Sequence, residues 1–119
     1  MFLQLAHTRL SVFLKSKELV LECYKLSRNF PIDEKFALVQ QIRRASYSIH
    51  LNIAEGCSRK SSIERKRFFE IARGSLIEVD TVLGLAVDLD YTTLDKLDNL
   101  KALIIENFKM ISAMISPDY

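Results

Sequence analysis

The sequence predicts an all-α protein, an antiparallel up-down-up-down four-helix bundle, and three observations point that way. With 119 residues, 49% of them apolar, the chain suits one domain over residues 1–119 with one core. Only three Gly and two Pro, and no Trp, leave few turn signals, which favours long regular elements over many short strands. Apolar residues then recur at helical spacing in four stretches separated by short links, and short links make neighbouring helices antiparallel.

The first helix is expected over 11–29, where Val12, Leu19, Cys23, Leu26 and Phe30 follow a helical period. Pro31 ends it by disfavouring helical geometry at Phe30. A second helix is expected over 33–55, opened by Asp33 as a cap for free backbone N–H groups and carrying Phe36, Val39, Ile42, Ala45, Ile49 and Ile53. Gly56 is its predicted stop, since a left-handed residue just past a helix costs Gly nothing. Ser61-Ser62-Ile63-Glu64 reads as a capping box and starts a third helix over 62–89, with Phe68, Ala72, Leu76, Val79, Leu83 and Ala86 on one stripe. Gly74 and Gly84 fall inside it at about 1 kcal/mol each relative to Ala, and close helix packing is the expected reason. Thr92 or Thr93 opens the fourth helix, 93–115, in which Leu97, Leu100, Ile104, Phe108, Ile111 and Ile115 alternate steps of three and four. Pro117 closes it.

Cys23 and Cys57 are too few for a disulfide framework, and neither has zinc-ligand spacing, which suits a reducing, cytoplasmic setting. Arg9, Lys15 and Lys17 interrupt the apolar N-terminus, so no signal peptide is read there. No apolar run reaches the roughly 18 residues of a membrane-spanning helix.

Charge is distributed unevenly. Arg43 to Arg73 holds eight cations against three acids, a balance of +5, while Gly74 to the C-terminus holds three lysines against eight acids, a balance of −5. Such asymmetry hints at an anionic partner. Lys66 and Arg73 stand at helical spacing from Glu70 and are expected to pair with it. Arg43, Arg44, Arg59, Lys60, Arg65 and Arg67 have fewer acids at that spacing and form the candidate nucleic-acid-binding set, because guanidinium forks suit phosphate. A solvated face or salt bridges between subunits explains the same residues.

The segments NFPIDEKFALVQQIRRASYSIHLNIAEG and SSIERKRFFEIARGSLIEVDTVLGLAVDLDY resemble the four-helix bundle family of proteins encoded by intervening sequences in bacterial 23S ribosomal RNA genes. The likeness runs from about Leu10 to Met114 and is most specific at Gln41–Ala45, Asn52–Gly56, Phe69 and Ala72–Glu78. His50 stands where that family usually has Pro, which leaves open whether helix two kinks there. Relatives include the accessory variability determinant proteins of diversity-generating retroelements, bundles that form five-subunit rings and bind a reverse transcriptase and nucleic acid. The resemblance therefore implies a homopentameric ring, with RNA, DNA, a reverse transcriptase or another protein as possible partners.

Tyr47 and Leu51 lie four apart on helix two beside Arg43 and Arg44; Tyr47 could stack on an unpaired base, but a subunit contact is the better reading of this pair. Phe68, Phe69, Val82 and Leu83 also exceed what one core-facing stripe needs, so self-association is expected. Asn52 and Glu55 read as a structural polar pair, with arginine partners if buried. Glu78 and Asp80, two apart, point to different faces. Neither HExxH, a Gly-rich phosphate loop nor GxSxG occurs, and His7 and His50 lie in different elements without an obvious nucleophile. No enzyme activity and no cofactor are expected. Two functional classes stay open: a nucleic-acid-binding oligomer, and a structural or adaptor oligomer that meets a protein partner.

Overall fold

The computed structural model describes residues 2–116. Helix α1 spans Ser11–Ser27, α2 Leu38–Ser58, α3 Ser62–Asp88 and α4 Asp98–Ile115; single 3-10 turns cover Ala6–Arg9, Ile32–Glu34 and Leu94–Leu97. Sequential helices pack on one another and α4 closes back on α1, which is the expected up-down-up-down bundle. It measures 43 × 32 × 21 Å. Leu19, Ile42, Ile49, Ile53, Leu76, Val79 and Ile111 fill its centre with almost no exposure.

Helix α1 buries Val12, Leu19 and Cys23, while Phe30 is buried just beyond its end and meets Tyr91 ring to ring at 5.7 Å. Burial pushes the Cys23 thiol up to about 12, with the nearby Glu22 charge adding to the shift and a bond to Ser46 opposing it.

Helix α2 begins later than its sequence suggests. Pro31 holds extended backbone, Ile32–Glu34 makes one tight turn, and Ala37 at φ −126°, ψ −97° breaks the path before Leu38. Asp33 therefore caps nothing in α2; Glu34 Oε1 accepts from the Leu38 N–H instead, at 3.4 Å. Phe36 lies outside the helix and is 77% exposed, so it leaves the predicted core. The question left open at His50 resolves as continuous α-helix through that residue.

Gly56 is not the stop of α2. The helix continues to Ser58, Gly56 keeps a negative φ, and a Cβ built there would sit 2.5 Å from Cε1 of Phe69. Its missing side chain allows the Phe69 ring of α3 to lie against the α2 backbone. Conversely, Gly74 and Gly84 have nothing within 4 Å of a would-be Cβ, which overturns close packing as their reason.

The start of α3 is as its sequence indicates: Ser61 Oγ accepts from the Glu64 N–H at 3.3 Å. Its end carries an unforeseen Schellman motif. Asp90 adopts φ 63°, the Tyr91 N–H donates to Ala86 O at 2.8 Å, and the Asp90 N–H donates to Val87 O at 3.0 Å.

Thr93 precedes the turn Leu94–Leu97, so the fourth helical region opens near the expected place but becomes α-helical only at Asp98. A hydrogen bond from Thr93, above all, holds the Asp95 carboxyl below its ordinary range. Leu103 and Asn107 take core positions, whereas Phe108 stays exposed. The stop expected at Pro117 lies outside the described residues.

Candidate functional site

The six candidate cations separate into two groups once their surroundings are known. Arg43 donates from Nε to Ser27 Oγ at 2.8 Å and lies 4.7 Å over the Tyr24 ring, which ties α2 to α1. Arg59 pairs with Glu55 at 3.0 Å and lies 5.0 Å from the Phe68 ring centre. Arg65 donates from Nη1 to the carbonyls of Cys57 and Arg59, each at 3.1 Å, and so closes the α2–α3 link from the α3 side. These three guanidinium groups already have work inside the fold. Arg44, Lys60 and Arg67 are exposed and make no side-chain bond or ion pair among the described residues.

Lys66 and Arg73 do not pair with Glu70 among the described residues. Arg73 turns to α4 instead and donates to Ser112 Oγ at 3.3 Å, while Lys66 stays exposed. The uncommitted cations at the α2–α3 end are therefore Lys60, Lys66 and Arg67, with Arg44 further along α2. Lys66 belongs to this group although spacing alone assigned it to a pair.

Polar side chains on the other sides of α2 and α3 stay within the bundle. Ser48 and Ser75 hydroxyls lie 2.9 Å apart, and Asn52 Nδ2 donates to the Ser48 carbonyl at 2.8 Å. Gln41 donates to Glu78 across the same interface. Asn52 and Glu55 are structural polar groups, but their partners are Ser48 and Arg59 rather than Arg43, Arg44 or Arg73.

His50 has the partner that sequence spacing concealed. Its Nδ1 lies 2.7 Å from Ser16 Oγ, and its ring lies 4.2 Å from that of Phe13, which His7 meets edge-on at 5.0 Å. Ser16 Oγ also donates to Phe13 O at 2.9 Å, so the bonding assigns the Nδ1 proton to His50 as donor. Ser16 has no exposed surface, and a substrate carbon has no route to its hydroxyl. Burial, followed by the charges of Lys17 and His7, lowers the His50 pKa below 6.5. The group is a polar clasp between the N-terminal turn, α1 and α2.

Among the described residues, no three His, Cys, Asp or Glu side chains are placed to hold a metal ion, and no helix is long and apolar enough to cross a membrane.

Tyr47 and Leu51 face away from the core at 42% and 57% exposure, next to exposed Arg44. Exposed large apolar side chains also include Leu14 and Leu21 on α1, Ile63, Ile71, Ile77 and Leu85 on α3, and Ile105 and Phe108 on α4.

These features define a small antiparallel four-helix bundle whose polar groups mostly bond within the fold and whose apolar residues continue onto its outside. The chain belongs to the 23S rRNA-intervening sequence protein family, whose family model matches residues 8–113. It is similar to a crystal structure of a protein with unknown function from the S23 ribosomal protein family of Bacteroides thetaiotaomicron VPI-5482, at a TM-score of 0.81 and 24% identity, covering 88% of this chain and 98% of that one. That likeness is one of fold. No curated protein matches the chain.

Proposed function

We propose that this chain is a non-enzymatic structural protein that works as a homo-oligomer. The observation that supports this reading is the outward apolar surface, above all Tyr47 and Leu51 on α2 and Leu14 and Leu21 on α1. Side chains of this kind, outside a bundle whose core is already filled, gain stability when a second copy removes them from water, by roughly 25 cal/mol per Å² of apolar area. The five-subunit ring implied by the family resemblance is one form of such an oligomer. Light scattering across micromolar concentrations tests the reading: the expected mass is a multiple of 13.7 kDa, and Tyr47→Ser/Leu51→Ser lowers it. A wild-type mass of 13.7 kDa throughout removes the proposal.

A second reading, nucleic-acid binding, draws on the four uncommitted cations Arg44, Lys60, Lys66 and Arg67. Contacts from these side chains would go to the phosphate backbone and weaken steeply with salt. Lys60→Ala/Lys66→Ala/Arg67→Ala is the informative variant, because Arg43, Arg59 and Arg65 also hold the fold. In a fluorescence-anisotropy salt series with a structured RNA, this reading expects a weaker affinity and a shallower salt slope for the variant. Equal affinity and slope would remove it.

A further inference from the structure

We propose that the N-terminal segment, residues 2–10, is held on the bundle by two imidazoles around Phe13 and is released as a unit when His50 takes up a proton. The cluster draws on the turn Ala6–Arg9 for His7, on α1 for Phe13 and Ser16, and on α2 for His50. His7 meets the Phe13 ring edge-on at 5.0 Å, the His50 ring lies 4.2 Å from the same ring, and Phe13 is buried with them. Other bonds of the segment close on itself: Thr8 donates both its N–H and its hydroxyl to Leu5 O, and the Leu10 N–H donates to His7 O. Phe2, Leu3 and Leu5 turn outward and are exposed. The apolar hold on the bundle therefore centres on His7 against Phe13, with Thr8 buried next in sequence. A segment with so little buried apolar surface can open while the helices stay folded.

The docked cluster is badly placed for a further proton. His50 Nδ1 already donates to Ser16 Oγ, so an added proton goes to Nε2, on a half-buried ring packed against Phe13. His7 Nε2 is buried without a hydrogen-bond partner, and a proton there would have no acceptor. The charges acting on His50 are cationic: Lys17 from α1 and His7 from the N-terminal turn. Carboxylates of the helices have partners elsewhere. Glu18 of α1 and Glu106 of α4 each lie 3.6 Å from Lys15, Glu55 of α2 pairs with Arg59, and Glu78 of α3 accepts from Gln41. Burial first, then these two cationic neighbours, favours the neutral His50 ring. Release of residues 2–10 takes His7 away and opens the Phe13 side of His50 to water, which relieves two of these penalties together.

Proton uptake and release are therefore linked. The docked ring holds a proton more weakly than a solvated imidazole does at about 6.5, so docking is favoured above that pH and release gains as pH falls below it. One proton coupled in this way raises the opening constant roughly tenfold between pH 7.5 and pH 5.5. In the released form Phe13 joins the exposed Leu10 and Leu14 at the start of α1, an apolar surface that the docked segment hides.

Hydrogen exchange read by mass spectrometry on the full chain tests this switch. After correction for the intrinsic pH dependence of exchange, residues 2–10 of the wild type are expected to lose roughly tenfold in protection from pH 7.5 to pH 5.5, while α4 keeps its protection. His50→Asn retains a side-chain donor for Ser16 but cannot take up the proton, and its segment is expected to lose the pH dependence. Where circular dichroism shows that His50→Asn does not fold, Lys17→Gln serves instead, because removing that charge eases protonation of the docked ring and shrinks the pH effect. Equal protection of residues 2–10 at both pH values in the wild type overturns the proposal. An undiminished loss in the folded variant also overturns it, since the proton would then belong to another group. A parallel loss in α4 does so as well, because the event would then be global unfolding.

Discussion

His50 occupies a place that favours a neutral imidazole: its burial comes first, and the charges of Lys17 and His7 add to it. Its folded pKa lies below 6.5, so as pH falls through the unfolded value the unfolded chain takes up a proton before the folded one does. Stability from this group is complete above the unfolded pKa and declines below it. Between about pH 7 and about pH 5, His50→Asn is expected to show a shallower loss of Tm than wild type, and identical slopes would contradict the assignment. Arg65 and Arg67 make a second contrast at this scale. Arg65→Ala removes two bonds to backbone carbonyls and is expected to cost about 1–2 kcal/mol in urea unfolding, whereas Arg67→Ala stays within about 0.5 kcal/mol. Neither the His50–Ser16 pair nor the different duties of these arginines was legible in the sequence. Partners 34 positions apart for His50, and backbone acceptors for Arg65, leave no mark in side-chain spacing.

Helices were legible because their signals are local. The Ser61 cap lies next to the helix it starts, and the stripe through Ala72, Leu76, Val79 and Leu83 repeats at the period of the helix itself. Ends that depend on a neighbouring element were not. Gly56 resembles a stop but is a point of contact with Phe69, and the true end of α3 uses Asp90, a residue less permissive than Gly in the left-handed region. The glycines therefore predict opposite signs in denaturant unfolding. Gly74→Ala is expected to stabilise by about 1 kcal/mol, since it gains helix propensity and its Cβ meets nothing. Gly56→Ala forces a methyl against a buried ring and is expected to destabilise by roughly 1 kcal/mol or more, as overpacking outweighs propensity. Asp90→Gly should stabilise by about 1 kcal/mol by removing the Cβ from a left-handed residue, and a loss of stability would contradict the Schellman assignment.

Across the whole molecule, charge and apolar exposure are arranged together. The +5 region surrounds the α2–α3 end, and the acids of the −5 region include Asp80, Asp88 and Asp98, which border a groove between α3 and α4. Uneven charge was visible in the sequence, but its division into internally bonded arginines and free cations required the three-dimensional arrangement. Surplus apolar positions were visible at Tyr47 and Leu51 on α2, but not on α3: Phe69, Val82 and Leu83, expected to exceed the core stripe, are buried and Phe68 is half-buried, while the exposed positions are Ile63, Ile71, Ile77 and Leu85. Those of α1 and α4 likewise depended on which face each helix turned inward. The central claim is that this outward apolar surface holds copies of the chain together. Sedimentation equilibrium of the wild-type protein over micromolar concentrations tests it most directly: a concentration-dependent mass that rises to a fixed multiple of 13.7 kDa is the expected result, and 13.7 kDa at every concentration would contradict it.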